Sequence, residues 1–130
     1  MDYIYTSSTN IFKDKDVLNK MNYMKNDFLF EISIHLNEYN KLYEIPENYC
    51  VNYYQVLEIN NEKTTCEYGY SYNKKNLLTY IFFLNSTTFK IQDNVMNFQF
   101  GDLIIFPSEW FFSYTISKTT IIIGYVYVDI

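Results

Sequence analysis

Between positions 13 and 25 the apolar residues Val17, Leu18, Met21 and Met24 recur three and four apart, the spacing of one helical face. Asp14 or Asp16 stands where it would cap the start of that helix. The next stretch, NDFLFEISIHLNEYNKLYEIPENY, carries two periods at once. Phe28, Phe30, Ile32, Ile34 and Leu36 alternate as in a strand, while Phe28, Ile32, Leu36, Tyr39 and Tyr43 fit a helix. A pattern running over 27–43 exceeds a strand of ordinary length, which favours a helix that ends before Pro46.

Beyond Pro46 the pattern turns to β. Runs rich in Val, Ile, Thr, Tyr and Phe occupy 51–59, 64–72, 77–84, 87–92, 95–100, 103–106, 110–116 and 119–128. Turn residues separate them: Asn60-Asn61, Asn73 to Asn76, Asn85-Ser86, Asp93-Asn94, Gly101-Asp102, Pro107-Ser108 and Ser117-Lys118. Short strands at this spacing predict a mainly β sandwich or barrel, with one or two N-terminal helices packed on one sheet. The expected organisation is one domain over 1–130, with a helical part at 1–46 and a β core at 47–130. With three Gly in the chain, its turns are expected to rely on Asn and Asp, which tolerate left-handed backbone.

Composition narrows the partners. Ten Lys, no Arg and fifteen acidic residues give a net charge of -5, and the basic residues form no block. Nucleic acid and anionic membrane both demand a clustered positive face, so neither is expected as a partner. No apolar run approaches the ~18 to 20 residues of a membrane helix, and no secretory leader is readable at the N-terminus. The expected protein is soluble and non-secreted, in the cytoplasm of a host cell or in a virion. Asn, Ile and Tyr occur 15 times each and Ala not at all, a bias toward A/T-rich codons that points to a viral or phage genome. Cys50 and Cys66 read as reduced thiols rather than a pair, and Asn85-Ser86-Thr87 reads as a turn rather than a glycosylation acceptor.

Three stretches of the second half, LLTYIFFLN at 77–85, FQFGDLIIFPSEWFFSYTI at 98–116 and KTTIIIGYVYVDI at 118–130, belong together. They resemble the core of the Fe(II)- and 2-oxoglutarate-dependent dioxygenases of the prolyl-hydroxylase-like type. A weaker match extends back to VNYYQVLEIN at 51–60. The resemblance implies a double-stranded β-helix, a jelly-roll form. It also implies an iron held by two His and one carboxylate, with open positions for oxygen and the co-substrate.

The ligands of that site do not follow the fold. The chain has one His, His35, well upstream in the helical region. Where the family's second metal His would fall, shortly after FPSEW, stands Tyr114. The family's His-x-Asp motif is missing from TTCEYGYSYNKKN, whose one carboxylate is Glu67. The family also places a basic residue at the start of its last strands to hold the distal carboxylate of 2-oxoglutarate, and Lys118 stands near that place. Tyr114 and Lys118 are therefore the candidate ligand-binding residues, as a remnant acid-binding pocket; the competing reading of Lys118 is a solvated residue in a turn.

Other chemistry is not readable. A nucleophilic dyad would have to use His35, and no spacing marks two of Glu44, Glu47, Glu58, Glu62 and Glu67 as an acid and base pair. No Gly-rich phosphate loop is present. Aromatic residues are 21% of the chain, more than one core was expected to hold, so rings such as Tyr68, Tyr70, Tyr72, Tyr125 and Tyr127 were candidates for surface contacts. The expectation is a pseudoenzyme without cofactor, acting as a structural or protein-interaction component, as a homo-oligomer or within a larger assembly. The alternatives are an Fe(II)/2-oxoglutarate-dependent oxygenase with atypical ligands and a carbohydrate-binding jelly roll.

Overall fold

A computed structural model describes residues 4–9, 25–51, 55–59, 70–71, 74–110, 112–114 and 119–129. The chain is mainly β, with one helix among the described residues. In order, the elements are β1 (Tyr5–Ser8), α1 (Lys25–Leu42), β2 (Cys50–Val51), β3 (Gln55–Ile59), β4 (Tyr70–Ser71) and β5 (Lys74–Phe83). Then come β6 (Thr87–Ile91), β7 (Asn94–Phe98), β8 (Asp102–Pro107), β9 (Phe112–Tyr114) and β10 (Thr119–Asp129).

The doubly periodic stretch is helix, and burial shows why. Phe28, Ile32, Leu36 and Tyr39, the members of the helical set, are all buried, whereas Phe30 and Ile34 of the alternating set are 68% and 42% exposed. A strand would have put Phe30 and Ile34 on the same face as Phe28 and Ile32. The helix closes with the Tyr43 N–H donating to the Tyr39 carbonyl, and the Asn40 side chain then accepts the Ile45 N–H at 2.9 Å ahead of Pro46. The second helix expected at 13–25 falls outside the described residues, apart from Lys25, which opens α1.

All strand pairs are antiparallel and lie in two sheets. The larger runs β1-β8-β5-β10-β2, with β3 also on β10 and β4 on β5; the smaller runs β7-β6-β9. The chain switches repeatedly between them: β5 lies in the larger sheet, β6 and β7 in the smaller, β8 in the larger, β9 in the smaller and β10 in the larger.

The central strands of the larger sheet are covered on both faces, which accounts for their continuous apolar runs. Leu78, Tyr80 and Phe82 of β5, Leu103 and Ile105 of β8, and Ile122 and Val126 of β10 pack with Phe28, Ile32, Leu36 and Tyr39 of α1. Their neighbours Ile81, Phe83, Ile104, Phe106, Ile121 and Ile123 face the smaller sheet and pack with Phe89, Ile91, Phe98 and Phe112. Three layers therefore form two cores, one on each face of the larger sheet. This arrangement takes up more rings than a single core would. Tyr125 packs against the inter-sheet core and is half-buried, as is Tyr127, while the side chains of Tyr68, Tyr70 and Tyr72 lie outside the described residues.

Two backbone positions are shaped by local sterics. Tyr80 lies opposite Gly124 in the β5–β10 register. A Cβ on residue 124 would come 2.7 Å from the Tyr80 ring carbon Cε1 and closer still to Cζ and Oη, so the buried ring occupies the place a side chain would take. The β6–β7 hairpin turns through Gln92 and Asp93, and Gln92 holds the left-handed backbone, at φ 52°. The left-handed position thus falls on Gln92 rather than on the neighbouring Asp93 or Asn94, because the turn needs positive φ at its first central residue. Asn85 and Thr87 do serve as a turn: the Asn85 side chain accepts the Thr120 N–H at 3.1 Å, and the Thr87 hydroxyl donates to the Asn85 carbonyl.

Candidate functional site

Aromatic rings fill the space between the two sheets. Phe83 and Phe98 stack with centroids 4.3 Å apart, and Phe89 meets Phe83, Phe98, Phe106 and Phe112 at 5.5 to 6.1 Å. Such offset and edge contacts add about 0.5–1.5 kcal/mol per pair beyond area burial. Next to the rings lies one polar pair: the Thr79 and Ser108 hydroxyls are 2.9 Å apart and both residues are fully buried. Each hydroxyl satisfies the other, which removes most of the penalty for burying either.

Tyr114 ends β9, paired with Phe89 of β6 in the smaller sheet. Lys118 and Glu67 lie outside the described residues, as does Cys66; Cys50 is a half-buried free thiol. Among the described residues no three His, Cys, Asp or Glu side chains gather as a metal site would require. No helix among them is long and apolar enough to cross a membrane.

His35 sits elsewhere, on α1, and is buried on the helix side of the larger sheet. Its Nε2 is 3.1 Å from Glu31 Oε1, one helical turn back, and its Nδ1 is 3.0 Å from the Tyr5 hydroxyl of β1. A carboxylate only accepts, so Nε2 carries a proton; in the neutral ring Nδ1 then accepts from Tyr5. The Thr9 hydroxyl donates to the same Glu31 oxygen in a short bond, and the Thr9 N–H donates to the Gly101 carbonyl. Both ring nitrogens are engaged in fastening the N-terminal strand to the helix. Read from the sequence, His35 had no visible partners; Glu31, four residues away, was discoverable from helical spacing, but Tyr5 was not.

A cleft of about 380 Å³ opens between the two sheets, lined by Thr6, Ser7 and Ser8 of β1, Met96, Asn97 and Phe98 of β7, and Asp102. It is not legible in the sequence, because β1 is a short, mostly polar strand with no period. The Asp102 carboxylate accepts the Gln99 N–H at 2.8 Å, and Gly101 makes the turn beside it at φ 90°. A Cβ on Gly101 would press to 2.9 Å from the Thr9 carbonyl, so that close approach and the positive φ both call for glycine. Compared with protein-family models, with curated proteins and with solved structures, the chain matches none.

Proposed function

We propose that the protein is a non-catalytic interaction or structural component, built on a double-stranded β-helix of the 2-oxoglutarate dioxygenase type that has lost its metal site. The repeated passage of the chain between two antiparallel sheets, from β5 to β10, supports the jelly-roll reading. The observation that carries the functional reading is the place of His35. A two-His, one-carboxylate iron site needs two imidazoles. The chain has a single His, on the helix side of the larger sheet, with both nitrogens bonded to Tyr5 and Glu31. These residues do not make such an iron site. Protein contact suits an acidic, aromatic-rich chain with Phe30 and Val95 exposed at 68% and 62%.

Anaerobic calorimetry tests this. Protein purified without chelator is titrated with Fe(II), then with 2-oxoglutarate. The reading predicts no stoichiometric iron and no metal-dependent heat with 2-oxoglutarate. One equivalent of iron, or 2-oxoglutarate binding that requires it, overturns the reading.

A further inference from the structure

The cleft lies on a seam where the edges of both sheets meet solvent. Among the described residues β1 pairs with one strand, β8, and β7 with one strand, β6. Among the described residues no strand lies on the outer side of β1, where Thr6 and Ser8 are exposed, so that side can take an added strand. Edges of this kind are normally blunted by charge, proline, a bulge or interruption. The opposite edge of the larger sheet carries a charged residue, Glu58 of β3. In the smaller sheet the opposite edge is β9, Phe112–Tyr114 among the described residues. The two strands on the seam, YTSS and NVMNF, have no charge and no proline.

The walls of the cleft differ in chemistry. Thr6 lies opposite Ile104, which packs between the sheets, so Thr6 and Ser8 belong to the inter-sheet face of β1. Across from them, Phe98 is part of the inter-sheet core and Met96 packs against it. A segment laid along β1 would point alternate side chains into a slot with hydroxyls on one wall and Met96 and Phe98 on the other. Four strand residues at about 3.3 Å each give a paired length of roughly 13 Å. Asp102 is the one charged residue of the lining, in a chain of net charge -5, so the cleft repels acidic segments and suits basic ones.

We infer that this seam binds an extended, uncharged peptide segment with basic flanks, supplied by a partner protein, by adding it as a strand beside β1. The inference rests on the reading of the chain as an interaction component and names how it would hold its partner.

The probe is a synthetic octapeptide of alternating Thr and Val with a Lys at each end. It is titrated into the full chain and followed by backbone amide shifts and fluorescence anisotropy. Saturable binding with shifts concentrated in β1 and β7 is expected, at least tenfold weaker for a Glu-flanked peptide and for one N-methylated along its central residues. Thr6→Lys, which charges the exposed edge, should weaken binding tenfold or more while leaving the remaining amide spectrum in place. Ser8→Lys, on the same face of β1, gives the same reading should Thr6→Lys fail to fold. Absence of shifts in β1 and β7 at millimolar peptide overturns the inference. So does binding indifferent to N-methylation and to both Lys variants, and so does a dimer in sedimentation that Thr6→Lys or Ser8→Lys dissociates, since a second copy would then own the seam. These outcomes leave the iron titration untouched, so failure of the cleft and failure of the non-catalytic reading are told apart.

Discussion

Gly124→Ala probes the contact between the larger sheet and the helix at one atom's resolution. Gly124 is buried in β10, away from positive φ, so the backbone itself accepts Ala. The obstacle is Tyr80, fully buried and packed against Phe28 of α1 with ring centroids 6.0 Å apart. The ring cannot swing aside without displacing Phe28 or Phe82. Overpacking of this kind costs about 1–3 kcal/mol, and so close an approach belongs at the upper end. Ala also loses less chain entropy than Gly on folding, which returns about 0.4–1 kcal/mol. The net expectation is a loss of about 2 kcal/mol. With about 2.1 cal/mol/K of unfolding entropy per residue over 130 residues, that is a fall in Tm of about 7 °C. Urea unfolding of Gly124→Ala, Tyr80→Leu and the double variant measures it as a cycle. The smaller Leu should relieve the clash, so the double variant is expected to be more stable than the sum of the single losses by about 1 kcal/mol or more. A neutral or stabilising Gly124→Ala, or strict additivity with Tyr80→Leu, would refute the β5–β10 register and the packing built on it.

Three further outcomes follow from the geometry. Removing one member of the buried Thr79–Ser108 pair strands the other, so Thr79→Val or Ser108→Ala alone should cost about 1–3 kcal/mol in urea unfolding, while the double variant should fall well short of the sum. His35→Ala breaks the link between α1 and β1; amide exchange in Tyr5–Ser8 should speed up while the β5 and β10 amides stay protected, with a global loss of about 1–2 kcal/mol. Gln92→Gly should stabilise the β6–β7 hairpin by about 0.5–1 kcal/mol, because left-handed backbone costs a side-chain-bearing residue roughly 1–2 kcal/mol and Gly returns part of that in entropy; a lower Tm for this variant would contradict the turn geometry.

Much of the β framework was legible because its period and punctuation are local properties. The runs at 77–84, 87–92, 95–100, 103–106 and 119–128 fall on β5, β6, β7, β8 and β10 to within a few residues. Of the run at 51–59 the described residues lie in β2 and β3, and of that at 110–116 Phe112–Tyr114 form β9. What the sequence concealed depends on contacts far apart in the chain. The strand Tyr5–Ser8, in which all four residues carry a hydroxyl, looks like a loop; it is held in place by Ile105, Leu103 and His35, all remote in sequence. Both faces of Leu103 to Phe106 are buried, so that run shows no alternation from which a second core could be inferred. The cleft was invisible for the same reason as β1, since its walls meet only after β1 docks. Of the candidate ligand residues, Tyr114 is placed at the end of β9, and Lys118 lies outside the described residues.

We propose that the framework is dioxygenase-like and carries no metal site. Its most direct test is a backbone amide spectrum titrated with Mn(II), a paramagnetic substitute that accepts His and carboxylate ligands, before and after addition of 2-oxoglutarate. The account predicts no broadening centred on any one position and no shift at Lys118 that depends on the metal. Broadening focused on β9 around Tyr114, together with a metal-dependent 2-oxoglutarate shift at Lys118, would contradict it.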